Sequence, residues 1–178
     1  MTQICYLTDN SGGQQSLGGN SGNITKVGLK ALADFGSFNQ ITLRLSKFNN
    51  PTGTLYCVLD QSGTETTSTT TYDISTLDGS FESKTFSFPT KTFNTGDFFY
   101  IYGTGGTING SNQVNMEGGN PRTNTNTAIG DYNRGSSGAW LWYDDPTDGE
   151  YDASWCYTSV SPSSGGARLP PPPLVVHF

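Results

Sequence analysis

Segments in which apolar and polar residues alternate recur roughly every 12–15 residues along most of the chain. The clearest alternation lies within 38–48, where three aliphatic and three polar side chains take turns: Ile41, Leu43 and Leu45 with Thr42, Arg44 and Ser46. Successive side chains of a β-strand point to opposite faces, so this segment predicts a strand with one buried face. Because several such strands must bury their apolar faces against one another, the pattern predicts an all-β, antiparallel sandwich.

The composition supplies turns and aromatic core volume rather than charge. Only 33% of the 178 residues are hydrophobic and 13% are charged, whereas 12% are aromatic and 23 are glycine. Aromatic residues and threonine favour strands, while glycine, asparagine and proline favour turns. The segment 49–53 combines these turn signals, since Pro51 presets φ and Gly53 accepts a positive φ. We therefore expect many short strands joined by tight turns.

Alternation and bulky runs extend the strand prediction along the chain. We expect strands at 4–7, 24–33, 38–48, 55–59, 81–88, 98–102, 114–116, 139–143 and 151–160. The run 98–102 carries bulky residues at every position, which predicts a central strand covered on both faces. We expect loops at 9–23, 103–112 and 117–127, where glycine and polar residues dominate. At 26–32 a helix stays open as the less favoured alternative to a strand.

Five short motifs occur one after another along the chain. They are NPTGTL at 50–55, FNTGDFFYI at 93–101, YNRGS at 132–136, Trp140, and YDASW at 151–155. Their order over about 24–158 resembles the jelly-roll β-sandwich modules of extracellular and virion surface proteins, which include carbohydrate-binding-like modules. The resemblance implies a jelly-roll-like sandwich used for display, adhesion or carbohydrate contact, and it implies no activity. The chain departs from the pattern at Trp155, where phenylalanine is usual.

The last 18 residues differ from the rest in composition. We expect one domain over 1–160, followed at 161–178 by a Ser/Gly-rich linker and a Pro-rich C-terminal arm. Four consecutive prolines favour a stiff polyproline II segment, and an apolar strand-forming stretch follows: Leu174, Val175, Val176 and Phe178. This stretch either closes the chain's own sheet, which we favour, or adds as a strand to a neighbouring subunit.

An acidic cluster places five carboxylates within nine residues: Asp144, Asp145, Asp148, Glu150 and Asp152. Oxygen-rich loops suit Ca²⁺, and the resemblance implies a structural Ca²⁺ beside the aspartate of the last strand, Asp152. If a cation binds, we expect Asp144, Asp148 and Asp152 to hold it, although the spacing is not that of an EF-hand. The alternative, which we favour, is a solvated acidic loop. The sequence suggests no cofactor other than Ca²⁺.

Two tryptophans lie two residues apart and so share one face of a predicted strand. If Leu141 faces the core, Trp140 and Trp142 form an exposed platform on which sugar rings stack. Tyr132 and Arg134, expected in a neighbouring loop, would then complete a polar rim. The alternative, which we favour, is that the tryptophan face is core or a contact between subunits.

The sequence carries no recognisable catalytic set. The only histidine, His177, lies one residue from the end of the chain, so Ser-His-Asp and Cys-His catalysis lack their proton carrier. Zinc lacks ligands, and no glycine-rich loop opens a helix to hold phosphate. Carboxylates confined to one short loop rarely flank a substrate as a glycosidase pair must. We therefore expect no enzyme activity.

Charge and targeting signals narrow the class of partner. The net charge is −6 and the nine basic residues are scattered, which argues against binding to nucleic acid or to anionic membranes. No apolar run is long enough to span a bilayer, and the first residues do not resemble a secretory signal. Three dispersed cysteines allow at most one disulfide, and we favour simple buried thiols.

These observations favour a non-enzymatic structural or adhesive surface protein. We expect a virion capsid, decoration or spike component that assembles with itself or with other structural proteins through its sandwich and arm. The alternative is a carbohydrate-binding module of a secreted or cell-surface protein, with glycans as partners and a Ca²⁺ requirement. Both hypotheses place the chain on a virion surface or outside the cell.

Overall fold

The structure is a computed structural model that describes residues 2–6, 13–19, 24–119, 127–132, 138–142, 152–153 and 155–160. Within these ranges the strands form two antiparallel β-sheets, which confirms the predicted all-β class. The first sheet contains β1 (Thr2–Tyr6), β2 (Gly13–Leu17), β4 (Gly36–Phe48), β8 (Glu82–Phe93), β10 (Gln113–Gly119), β13 (Asp152–Ala153) and β14 (Trp155–Ser159). The second contains β3 (Lys26–Ala31), β5 (Thr54–Gln61), β6 (Thr64–Thr67), β7 (Tyr72–Asp73), β9 (Phe98–Thr104), β11 (Thr127–Tyr132) and β12 (Trp140–Trp142).

Strand β4 organises the first sheet. It pairs with β8 along one side, and along the other side it pairs with β14 and then with β10. β1 lies beyond β14, β2 lies beyond β10, and β13 pairs with the end of β10. The second sheet has the order β12-β11-β3-β9-β5-β6, with β7 also paired to β5. From β3 onward the long strands alternate between the two sheets, so most neighbours within a sheet are distant in sequence.

The core lies between the sheets and is centred on a cluster of phenylalanines. The ring of Phe99 has its centroid 5.3 Å from Phe38, 5.5 Å from Phe88 and 4.7 Å from Phe93. The predicted inward row of β4, which is Ile41, Leu43 and Leu45, is confirmed as core. On β5 the core residues are Leu55, Cys57 and Leu59. Because aliphatic residues are few, aromatic rings supply much of the buried apolar surface that holds the sheets together.

Residues 68–72 run from the second sheet to the first and contact the edge of β8 that does not pair with β4. Ser68 N–H donates to the Cys57 carbonyl of β5 (2.8 Å), and Thr69 N–H donates to the Ser87 carbonyl of β8 (2.8 Å). The Tyr72 hydroxyl donates to the Thr85 carbonyl (2.7 Å). An open edge is a template for pairing with other chains, so this crossing both links the sheets and blocks that edge.

Several sequence predictions change in the structure. The segment predicted as a loop at 9–23 contains strand β2, and strand β11 was not predicted. The helix alternative at 26–32 is wrong, because Lys26–Ala31 forms β3 and pairs with β9 and β11. A 3-10 turn forms at Ile74–Thr76. The acidic loop at 144–150 and the arm at 161–178 lie outside the described residues.

Replacing Phe99 with alanine should lower the free energy of unfolding by about 3–5 kcal/mol, because the change removes a ring that three others contact. Phe48 is the matched control, since its side chain is 53% exposed at the end of β4. Phe48→Ala should change stability by less than about 0.5 kcal/mol. Urea denaturation measures both, and equal losses would contradict the assignment of Phe99 to the centre of the core.

Candidate functional site

The outer side of the second sheet carries a continuous layer of aromatic side chains, which we call the aromatic face. Six aromatic residues and one lysine on five strands form it: Tyr56, Phe98, Tyr100, Tyr102, Tyr132 and Trp140, with Lys26. All but Tyr100 are partly exposed, and Tyr100 lies beneath the others with 3% of its surface accessible. The outer face of an antiparallel sheet is usually polar, so this layer is unusual for a surface that only meets water.

The register of β3 and β9 places this layer opposite the core. Phe99 and Ile101 of β9 are buried between the sheets, so Phe98, Tyr100 and Tyr102 point outward. On β3 the same alternation turns Lys26 outward. Strand β9 is flanked by β3 and β5, which confirms the prediction that 98–102 is a central strand. The prediction that both faces are covered is not confirmed, because Phe98 and Tyr102 on the outward side are partly exposed.

Trp140 joins the rings of one half of the aromatic face. Its ring centroid lies 5.2 Å from Phe98, 5.8 Å from Tyr100 and 5.6 Å from Tyr132, with tilted or edge-on contacts. In the other half Tyr56 and Tyr102 stack at 5.2 Å with an 18° angle between their planes. Mutually packed aromatic rings hold one another in place, so the face is rigid before any ligand arrives.

Gly28 lets Trp140 lie against the sheet. A Cβ atom built on Gly28 would lie 3.0 Å from two ring atoms of Trp140 and 2.7 Å from the Phe99 carbonyl oxygen. Its partner across the β3–β11 ladder is also a glycine, Gly130. A side chain on Gly28 would therefore push the indole ring away from the backbone and break the aromatic layer.

Polar groups are built into the same face. The Lys26 ammonium lies 4.2 Å from the ring centroid of Tyr100 and 5.3 Å from that of Tyr132, as in cation–π contacts. The same ammonium is 3.9 Å from Glu65 Oε1, which also accepts a 2.7 Å hydrogen bond from the Tyr100 hydroxyl. Burial raises the pKa of Tyr100, and the bond to Glu65 raises it further. The face thus combines ring surfaces with the charges of Lys26 and Glu65.

The structure brings together two of the four residues predicted to bind sugar. Trp140 and Tyr132 are register partners, and Tyr132 ends strand β11 rather than lying in a loop, as we had expected. Trp140 lies on the outer face and not in the inter-sheet core. Trp142 pairs with Gly130 in the backbone register, but its side chain is not described, and Arg134 lies outside the described residues. Tyr56, Tyr102 and Lys26 also belong to this face and were not predicted as site residues.

The calcium prediction and the assembly prediction stay untested. Asp144 and Asp148 lie outside the described residues, and Asp152 is described only as a backbone position in β13, where it pairs with Gly119. Among the described residues no group of three or more His, Cys, Asp or Glu side chains is placed to hold a metal ion. The arm residues Leu174, Val175, Val176 and Phe178 also lie outside the described ranges.

The outer side of the first sheet carries a buried polar network instead. Arg44 Nε donates to Glu117 Oε2 at 2.6 Å, and the Glu117 side chain is only 3% exposed. Next to this pair the Ser16 hydroxyl donates to Asn115 Oδ1 at 2.7 Å. These groups satisfy one another, so we interpret the network as structural support for β2, β4 and β10.

The described cavities add no deep pocket to the aromatic face. A small cavity of about 120 Å³ lies at one end of the sandwich, lined by Leu17, Ile24, Thr25, Gly103 and Ile108. Sites that enclose drug-sized ligands usually exceed about 300 Å³. A wider groove of about 550 Å³ is open to solvent and is lined by Thr52, Gly53, Thr54, Thr71, Asp73 and Ser75. Neither cavity is lined by residues of the aromatic face, so a ligand of that face would lie on its surface.

Comparison with known proteins gives no identification. No protein-family model matches the sequence, and no curated protein matches it. A search of the described residues for a helix long and apolar enough to cross a membrane finds none.

Stability above pH 10 should depend on Tyr100. An unfolded tyrosine ionises near its ordinary pKa of 10.0, whereas burial and Glu65 keep Tyr100 protonated in the fold. Its contribution is therefore complete below pH 10 and is lost as the pH rises towards the elevated folded pKa. Urea midpoints at pH 9 and 11 should fall most steeply for the native chain, less for Glu65→Gln and least for Tyr100→Phe. Equal slopes in all three would contradict the assignment.

Proposed function

We propose that this chain is a non-enzymatic, adhesive surface module that binds carbohydrate through its aromatic face. The observation that carries the proposal is the packed layer of tyrosine, phenylalanine and tryptophan on the outer side of the second sheet. This layer takes no part in the inter-sheet core, so the stability of the sandwich does not by itself account for it.

The chemistry of the face suits a sugar ligand. The C–H faces of sugar rings are apolar and stack on aromatic rings, while their hydroxyls need hydrogen-bond donors and acceptors. Trp140 and Tyr132 offer ring surface, and Lys26 and Glu65 lie beside them. Tyrosine and tryptophan also bind at a low entropic cost, because they have few rotatable bonds and are already held by neighbours.

The topology supports a jelly-roll-like arrangement. Consecutive long strands from β3 to β11 alternate between the sheets, so each sheet is built from strands that are not sequence neighbours. The turn predicted at 49–53 has Gly53 at φ +117°, and Leu55 after it lies in the core. A bound Ca²⁺ at Asp144, Asp148 and Asp152 belongs to the same proposal as a structural ion.

A virion structural component is the second candidate, and the exit of the chain from β14 favours it. β14 lies between β1 and β4, and Val160 N–H still donates to the Ser37 carbonyl (3.0 Å). The proposed arm at 161–178 therefore starts from a strand paired on both sides. A force applied through the arm would therefore act on a strand that is hydrogen-bonded on both sides rather than on an edge strand.

Native protein should bind at least one oligosaccharide on an array of neutral and acidic glycans, and Trp140→Ala should weaken that binding about 30-fold, as expected for a hot-spot aromatic. Titration calorimetry on the selected oligosaccharide measures the change. The exposed Phe48 again supplies the control, and Phe48→Ala should bind normally. Adding EDTA tests the requirement for Ca²⁺.

Two outcomes would contradict the carbohydrate proposal. One is an array on which the native protein binds no glycan with or without Ca²⁺. The other is a Trp140→Ala or Trp142→Ala variant that loses as much stability as Phe99→Ala, since those tryptophans would then support the fold. A folded Trp140→Ala variant with undiminished binding would move the site away from the aromatic face.

Light scattering on the full chain and on a chain ending at Arg168 tests the assembly candidate. If the arm joins subunits, the full chain should form an oligomer or higher assembly, while the shortened chain stays a folded monomer. Two monomers of equal stability would remove the support for assembly through Leu174, Val175, Val176 and Phe178. This result is independent of glycan binding, so the two candidates are tested separately.

A further inference from the structure

The three cysteines lie on three strands, β1, β5 and β14. Cys57 lies on β5 in the inter-sheet core, with no exposed surface. Burial raises the pKa of its thiol, so the reactive thiolate is scarce at Cys57. Oxidation chemistry in this chain is therefore directed to the other two, Cys5 and Cys156.

Cys5 and Cys156 are direct partners across the β1–β14 ladder. The flanking pairs Ile4 with Tyr157 and Tyr6 with Trp155 show the same uninterrupted register. Opposed residues of an antiparallel pair have Cα atoms about 4.5 Å or about 5.5 Å apart, depending on the hydrogen-bonding position. Both separations lie inside the range of about 4.4–6.8 Å that a disulfide spans.

The backbone register also relates this pair to described residues of the first sheet. Cys156 is the partner of Thr42 on β4, and Thr42 is in turn the partner of Thr85 on β8. The hydroxyls of these threonines contact each other at 2.8 Å on the side of the first sheet opposite Ile41 and the core. Cys156 thus takes a backbone position in register with Thr42 on the first sheet, whereas Cys57 lies on the second sheet and is buried.

We propose that Cys5 and Cys156 form a cross-strand disulfide that fastens β1 to β14. With oxidised glutathione as oxidant, one cysteine thiolate attacks the glutathione disulfide and releases one glutathione thiolate. The second cysteine thiolate then displaces the bound glutathione and closes the protein S–S bond. The two cysteines lose two electrons, and the two glutathione thiolates released take up the two protons. The inference does not depend on glycan binding.

The link would matter because β1 is paired, within the described residues, only to β14. The crosslink closes a loop of about 150 residues, which restricts the unfolded chain far more than a short loop would. It would also hold β1 in register, since a one-residue slip would separate the two cysteines. The disulfide therefore stabilises an edge strand and links the beginning of the first sheet to its last strand.

Peptide mapping tests the proposal on the full chain, equilibrated with a glutathione redox couple and then alkylated with iodoacetamide. Trypsin separates the three cysteines into peptides 1–26, 48–84 and 135–168. We expect peptides 1–26 and 135–168 to be joined, at a mass two hydrogens below their sum, and to separate on reduction. Peptide 48–84 should appear unlinked.

Variants and thermal unfolding supply the matched controls. Cys57→Ala should keep the link, whereas Cys5→Ser and Cys156→Ser should lose it. Reduction should lower the Tm of the native chain by roughly 10 °C and leave the Tm of Cys5→Ser unchanged. Separately alkylated peptides 1–26 and 135–168 in the oxidised chain would overturn the proposal, and so would a link to peptide 48–84 or between two chains. The peptide map of the native chain decides the matter even if a variant fails to fold.

Discussion

Strand β9 connects the core of this protein to its candidate binding face. Phe99 contacts three other phenylalanines between the sheets, while Tyr100, one residue later, lies beneath the aromatic layer on the opposite side. A slip of one residue would exchange these two rings and destroy both layers at once. The stability of the sandwich and the geometry of the outer face therefore depend on the same register.

The contacts around Tyr100 hold the rings of the aromatic face in place. The Tyr100 hydroxyl donates to Glu65, and the Lys26 ammonium lies over the Tyr100 ring. Trp140 packs against the same ring, and Gly28 leaves the space that the indole needs. A ligand that lands on this surface meets rings whose positions are already set, and little conformational entropy remains to be lost. The polar network around Glu117 on the other sheet has no comparable ring surface, so the two outer faces differ in chemistry.

The sequence predicted the strands in which side chains alternate cleanly or are uniformly bulky. Strands β4 and β9 were predicted for this reason, and their inward residues are core. Strand β2 was missed because glycine, glutamine and serine occupy most of its positions, and β11 was missed because its six residues include glycine and aspartate. Such strands form because neighbouring strands supply hydrogen bonds, β10 to β2 and both β3 and β12 to β11. Local propensity does not record this condition.

Of the candidate site, Trp140 and Tyr132 were predictable, because aromatic residues near one another in sequence stand out. Tyr56 and Lys26 were not, since they lie on strands far apart in the chain and meet this face only through the sheet order. By itself the sequence determined the all-β class and the central place of 98–102, because these follow from residue type and period. Only the tertiary structure decided which outer face is aromatic and which cysteines are partners, because strand order and register join residues more than a hundred positions apart.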